Sequence, residues 1–148
     1  MTPARHLPDD AFPYLWLAER DRLLAHGREQ RFEPGEVILR ERHQSRAIYV
    51  LISGRLAVEK EHFGDSVVVD ELRLGAVFGE VSYLDRSPAS ASVVARDEAD
   101  VFILEDLDVV LASDPALASG FYRSMASLLA RRLRFATEDS VRALVASV

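Results

Sequence analysis

The stretch Leu74-Gly75-Ala76-Val77-Phe78-Gly79-Glu80-Val81-Ser82-Tyr83-Leu84-Asp85-Arg86-Ser87-Pro88-Ala89-Ser90-Ala91-Ser92-Val93-Val94-Ala95 decides how this chain is read. It carries two turn glycines, Gly75 and Gly79, then Pro88, then a strand candidate from Ser90 to Ala95. The same period continues outward on both sides. Upstream, Ala47 to Ile52 is an apolar run rich in β-branched and aromatic residues, which predicts a buried strand. Ser53-Gly54 punctuates it, and Leu56, Val58 and Lys60 continue as a second strand. His62-Phe63-Gly64-Asp65 reads as a hairpin turn leading into Ser66 to Leu72. Downstream, Asp100 to Leu104 is another strand, and Glu33-Pro34-Gly35-Glu36 is a turn by composition. Short strands with turns every 8–12 residues or so predict a sandwich, barrel or jelly roll, and no long helix separates them as a parallel sheet requires.

The flanks have a helical period. Trp16, Leu17, Leu23 and Leu24 form a partial apolar stripe, with Gly27 as a C-cap candidate. Pro13 and the polar start predict an extended arm over the first dozen residues. After the strands, Asp106-Leu107 begins a short helix ending near Ser113. Asp114-Pro115 then signals a restart, an acidic N-cap followed by proline at the first helical position. Leu117, Phe121, Met125, Leu128 and Leu133 fall on one face, at spacings of four, four, three and five. Thr137 to Ser140 interrupts that stripe, and Val141, Leu144, Val145 and Val148 resume it. One domain over residues 1–148 follows: an arm and helix over 1–28, strands over 29–105, and helices over 106–148.

Composition excludes several functions. The chain has 148 residues, a formal net charge of -6 and no cysteine. The acidic balance argues against a phosphate-neutralising nucleic-acid binder, which needs an excess of Lys and Arg. The lack of cysteine excludes a disulfide scaffold and a thiolate metal site, and fits a cytoplasmic location. The run Ala47 to Ile52 is far short of the ~20 apolar residues of a membrane span. The start is broken by Pro3, Pro8, Asp9 and Asp10, unlike a signal peptide. The histidines at 6, 26, 43 and 62 have no metal-ligand spacing, so no metal is expected. With no nucleophile elbow, no phosphate-binding loop and no catalytic carboxylate pair, the chain is expected not to be an enzyme.

The core Phe78-Gly79-Glu80, with the ending Pro88-Ala89-Ser90-Ala91-Ser92-Val93, resembles the phosphate-binding cassette of cyclic nucleotide-binding domains. Phe32 to Ile38 and Ile48 to Leu56 look like that family's early strands, and Asp114-Pro115 with the stripe after it looks like its C-terminal helices. The resemblance covers about residues 17 to 136. It implies a mainly β protein with flanking helices: a β jelly-roll barrel with an N-terminal helical segment and two C-terminal helices. Within that family the chain resembles the bacterial CRP/FNR-type sensor domains. The family's transcription factors continue into a DNA-reading domain of ~50 residues or more. Only ten residues follow Glu138, so no DNA contact is expected.

The resemblance also implies a site. A cyclic phosphate carries one negative charge, which backbone N–H groups, a closely approaching glycine and an arginine can hold. Gly79 and Glu80, beside Phe78, match the glycine and the ribose-binding acid. Val81 and Ser82 stand where the family offers backbone N–H groups, and Ser92 where it has a small hydroxyl. The family's arginine falls on Ala89, and Ser90 does not replace it. Losing this contact, at least the ~1.5–3 kcal/mol of one charged hydrogen bond and several kcal/mol at most, weakens binding roughly ten- to several-hundred-fold. Arg86 either substitutes from the cassette loop or is a solvated loop arginine. Arg42 replaces a glycine usual in its turn, which suggests a reshaped loop.

The expected function is a stand-alone regulatory domain sensing cAMP, cGMP or another small anion weakly or atypically, with no cofactor. The alternative is a degenerate, ligand-free domain kept for dimerisation or protein docking, with Glu80 satisfying local backbone donors. The C-terminal stripe either packs wholly on the barrel or also pairs two copies as a homodimer. Arg131, Arg132 and Arg134 are expected as a solvated face or a complement to the helix dipole.

Overall fold

In chain order the elements are α1 (Leu17–Ala25), β1 (Gly27–Phe32), β2 (Val37–Leu39), β3 (Ile48–Ser53), β4 (Leu56–His62), β5 (Asp65–Leu72), β6 (Val77–Phe78), α2 (Glu80–Asp85), β7 (Ser92–Ala95), β8 (Ala99–Leu104), α3 (Leu107–Ser113) and α4 (Pro115–Ala146). The structure, a computed structural model, describes residues 7, 8 and 10–146, those from 141 onward as backbone only. Two antiparallel four-stranded sheets face each other, in the orders β1-β8-β3-β6 and β2-β7-β4-β5. This is the jelly-roll architecture with flanking helices that the strand–turn pattern predicts.

Alternation along each strand divides the core in two. Ile48, Val50, Val77, Phe102 and Leu104 join the helices in one apolar cluster. Their neighbours Tyr49, Leu51, Phe78, Val101 and Ile103 face the second sheet, meeting Leu39, Leu56, Val93 and Ala95. Every residue of β8 is buried, because both faces of this central strand are covered. The predicted hairpin is present: β4 and β5 pair from His62 and Asp65, and Phe63 and Gly64 both take positive φ, 50° and 84°.

Three N-terminal expectations change. Leu7, Ala11, Phe12 and Leu15 are buried in the helix-side core, so the described part of the expected arm is folded in. The buried Arg20 guanidinium holds this segment, donating to the carbonyls of Phe12 (3.2 Å), Leu7 (3.1 Å) and Pro8 (2.9 Å). Residues 1–6 and 9 lie outside the described residues. Trp16 and Leu17 are 81% and 74% exposed, because α1 starts there and buries Arg20 and Leu23 instead. Gly27 opens β1 rather than capping α1, and a Cβ there would overlap the Phe102 ring.

Asp114 and Pro115 act as predicted. The Asp114 carboxylate accepts the Leu117 N–H at 3.2 Å, and α4 begins at Pro115. Leu117, Phe121 and Met125 are fully buried, Leu128 half-buried, and Leu133 69% exposed, so the stripe runs off the barrel. The polar segment does not break the helix, since the Thr137 and Ser140 hydroxyls donate to the carbonyls of Leu133 and Ala136 at 2.9 Å each. The side chains of Val141, Leu144, Val145 and Val148 lie outside the described residues. Among the described residues, no helix is long and apolar enough to cross a membrane.

Candidate functional site

β6 delivers the chain into the site. Phe78 stacks on Tyr49, rings 4.9 Å apart and 10° from parallel. Gly79 then turns into α2 with φ 81°. A Cβ at this position would lie 2.9 Å from both the Ala47 carbonyl and the Tyr49 ring, so the turn needs glycine for space as well as for its dihedral. The tight turn places Glu80 at the first position of α2, where it is 2% exposed. After α2 the chain is strapped across its own upstream loop. The Arg42 N–H donates to the Ala89 carbonyl at 2.8 Å, and the Ala89 N–H donates to the His43 carbonyl at 3.0 Å. Arg42 has φ 69°, the left-handed conformation that favours glycine. The replacement noted in the sequence therefore sits in the turn that fixes Ala89.

These elements enclose a hollow of about 280 Å³. Phe78, Gly79, Glu80, Val81, Ser82, Ala89 and Ser90 all line it, facing Leu39, Val58, Asp70, Leu72 and Val93 from the second sheet. Two expected residues stand elsewhere. The Ser92 hydroxyl accepts the Glu41 N–H at 2.9 Å, beside a separate hollow walled by Glu41, Arg42 and Glu61. Arg86 terminates α2, and the helix's six residues at ~1.5 Å each put it about 9 Å along from Glu80. Its side chain is 69% exposed, 3.8 Å from Asp108, and does not line the hollow.

The charged partner at the site comes from α4. Arg132 donates through Nη1 to Glu80 Oε1 and through Nη2 to the Val77 carbonyl. Glu80 Oε2 is buried with no hydrogen-bond partner. The partner of Glu80 Oε1 is a guanidinium 52 residues away. Arg131, Arg132 and Arg134 are exposed as expected, but Arg132, at 41% side-chain exposure, also reaches this buried carboxylate. A signal was present: Arg132 follows Met125 by seven residues and Leu128 by four, which puts it on the inward face of the helix. Desolvation holds the Arg132 pKa below its ordinary value, with the Asp70 carboxylate opposing that shift. The guanidinium stays charged.

Tyr83 ties α2 to α3. Its hydroxyl donates to Asp108 Oδ1 at 2.7 Å, linking α2 to α3, and burial pushes its phenol pKa up. Among the described residues there is no cluster of His, Asp or Glu that could hold a metal ion.

Two facing sheets, a glycine turn into a short helix and a buried acid at its start define a β jelly-roll ligand-binding domain. The model of the cyclic nucleotide-binding domain matches residues 29–110, more than half of the chain, and the chain belongs to that family. It is 42% identical over 73 residues to cyclic GMP-binding protein D of Dictyostelium discoideum, covering 47% of this chain and 6% of that one. It is 31% identical over 119 residues to the cyclic AMP receptor protein of Thermus thermophilus, covering 78% of this chain and 53% of that one. It superposes on the crystal structure of the catabolite activator protein of the same organism with a TM-score of 0.74 at 30% identity, covering 88% and 61% of the two chains. The chain thus spans about half of one relative and a small part of the other.

Proposed function

We propose that this domain senses a cyclic nucleotide or another small anion, binds it weakly in the hollow beside Glu80, and passes occupancy to α4. One observation carries this reading. Glu80 lines a hollow of about 280 Å³, and its Oε2 is a buried carboxylate oxygen with no partner. Leaving such a group unsatisfied costs ~1–3 kcal/mol, which a ligand hydroxyl donating to it would recover. The names of the relatives, a cyclic GMP-binding protein and a cyclic AMP receptor protein, support the same ligand class. Weakness follows from Ala89, which puts a methyl group where the family's cassette has an arginine. Movement of α4 would be biased by the ligand's different affinity for two helix positions.

Calorimetric titration with cAMP and cGMP tests this. Saturable binding with a Kd at or below about 100 μM, lost in Glu80→Ala, is the expected outcome. Ala89→Arg should tighten it by roughly ten- to several-hundred-fold. A silent wild type would overturn the proposal.

A second reading is favoured by a different observation. Leu133 and Phe135 are 69% and 65% exposed in the C-terminal half of α4. That suits a homodimer formed through the helix, whether or not a ligand binds. Both readings take the domain as cytoplasmic and non-catalytic. With a net charge of -6, neither assigns it DNA or a membrane surface.

A further inference from the structure

A second hollow lies away from the cassette. It holds about 400 Å³, within the ~300–1,000 Å³ of small-molecule clefts, and no residue lines both it and the hollow beside Glu80. The start of α4 contributes Ser119, Gly120 and Arg123; the segment leading into α1 contributes Tyr14 and Trp16, and α1 itself Glu19. The two sides are held close. A Cβ at Gly120 would lie 2.6 Å from the Tyr14 carbonyl oxygen, and the Tyr14 N–H donates to Ser124 Oγ at 3.0 Å. The lining carries one charge of each sign, and neither has an ion-pair partner among the described residues. Arg123 lies over the Tyr14 ring, 4.2 Å from its centroid. Glu19 Oε2 is buried without a hydrogen-bond partner. Arg22, one turn further along α1, donates to Asp114 instead, at 2.5 and 3.1 Å. Trp16, on the same side as Glu19, keeps 81% of its surface in water.

We propose that this hollow is a second ligand site, which takes a small aromatic zwitterion of the α-amino-acid class: carboxylate on Arg123, ammonium against Glu19 and ring on Trp16. Charge decides the class. A ligand with an anionic group alone is repelled by Glu19, and one with a cationic group alone is repelled by Arg123; a zwitterion is attracted by both. The guanidinium offers a forked pair of donors that matches a carboxylate. The indole offers a flat apolar face, and a ring stacked on it gains more than its buried area alone supplies. The site uses no residue of the cassette, so it goes beyond the cyclic-nucleotide reading and does not depend on it.

Trp16 is the one tryptophan of the chain, so its emission reads this site directly. The whole chain is titrated with L-phenylalanine, with excitation at the long-wavelength edge where phenylalanine does not absorb. A saturable change with a Kd of about 1 mM or below is expected. Phenylpropionate, which lacks the ammonium, and phenethylamine, which lacks the carboxylate, should each bind roughly tenfold or more weaker. Glu19→Gln should erase the preference over phenylpropionate, and Arg123→Gln the preference over phenethylamine. No saturable change up to about 10 mM L-phenylalanine overturns the proposal, and so does equal or tighter binding of either truncated probe. Those wild-type titrations decide the matter even where a variant does not fold. Preferences that persist in both variants, with circular dichroism showing them folded, overturn it as well.

Discussion

Gly79 is the residue on which the site turns. Its φ of 81° costs an L side chain ~1–2 kcal/mol, and a Cβ would also press on the Ala47 carbonyl and the Tyr49 ring at 2.9 Å. Neither neighbour is a flexible chain end, so Gly79→Ala should destabilise by about 2–4 kcal/mol. Thermal denaturation followed by circular dichroism measures this, and a midpoint within a degree of wild type would refute it. Gly79 and Glu80 were legible in the sequence because a motif of adjacent residues needs no fold to be seen. Arg132 was not. A charged residue on a helix is usually solvated, and only the crossing of α4 over β6 shows that this one reaches a buried carboxylate.

At the scale of elements, α4 joins the parts of the molecule. Phe121 is fully buried and meets Phe12 at 5.9 Å and Tyr83 at 6.3 Å, so one ring ties the N-terminal segment, α2 and α4. Phe121→Ala should cost roughly 3–5 kcal/mol in urea denaturation at constant m. The start of α4 is held by Asp114, which accepts the Leu117 N–H and is clasped by Arg22 of α1 at 2.5 and 3.1 Å. The Arg22 hydrogen bond, chiefly, holds the Asp114 carboxyl below its ordinary pKa of 3.8. A depressed folded-state pKa stabilises above the unfolded value and loses that contribution as pH falls through the folded one. Asp114→Asn should therefore be less stable than wild type at pH 7, and the gap should close as pH falls below 3.8. Urea melts at both pH values measure this; a gap that widens on acidification would contradict it. Asp114-Pro115 was readable beforehand because a cap is a local signal, whereas the Arg22 clasp spans 92 residues.

For the molecule as a whole, the two-sided core explains why the barrel and helices form one unit. β3 and β8 send alternate residues to the sheet–sheet interior and to the helices, so neither layer can be lost without exposing the other. The run of α4 past the barrel leaves Leu133 and Phe135 in water. Sedimentation velocity should show a dimer that Leu133→Glu with Phe135→Glu converts to monomer. A wild-type monomer at tens of micromolar, or a dimer indifferent to both changes, would count against pairing through this helix.

The sequence by itself determined the strand periods, the hairpin at Phe63-Gly64, the helix restart at Asp114-Pro115 and the turn at Gly79-Glu80. Each is a property of residues close along the chain, where period, dihedral and capping chemistry act locally. It also determined that position 89 is alanine. The tertiary structure decided what surrounds that alanine. It folded Leu7 and Phe12 into the core, sent Arg86 and Ser92 away from the hollow, and brought Arg132 to Glu80. Those outcomes depend on how elements cross in space, and no spacing along the chain encodes which helix face meets which strand end.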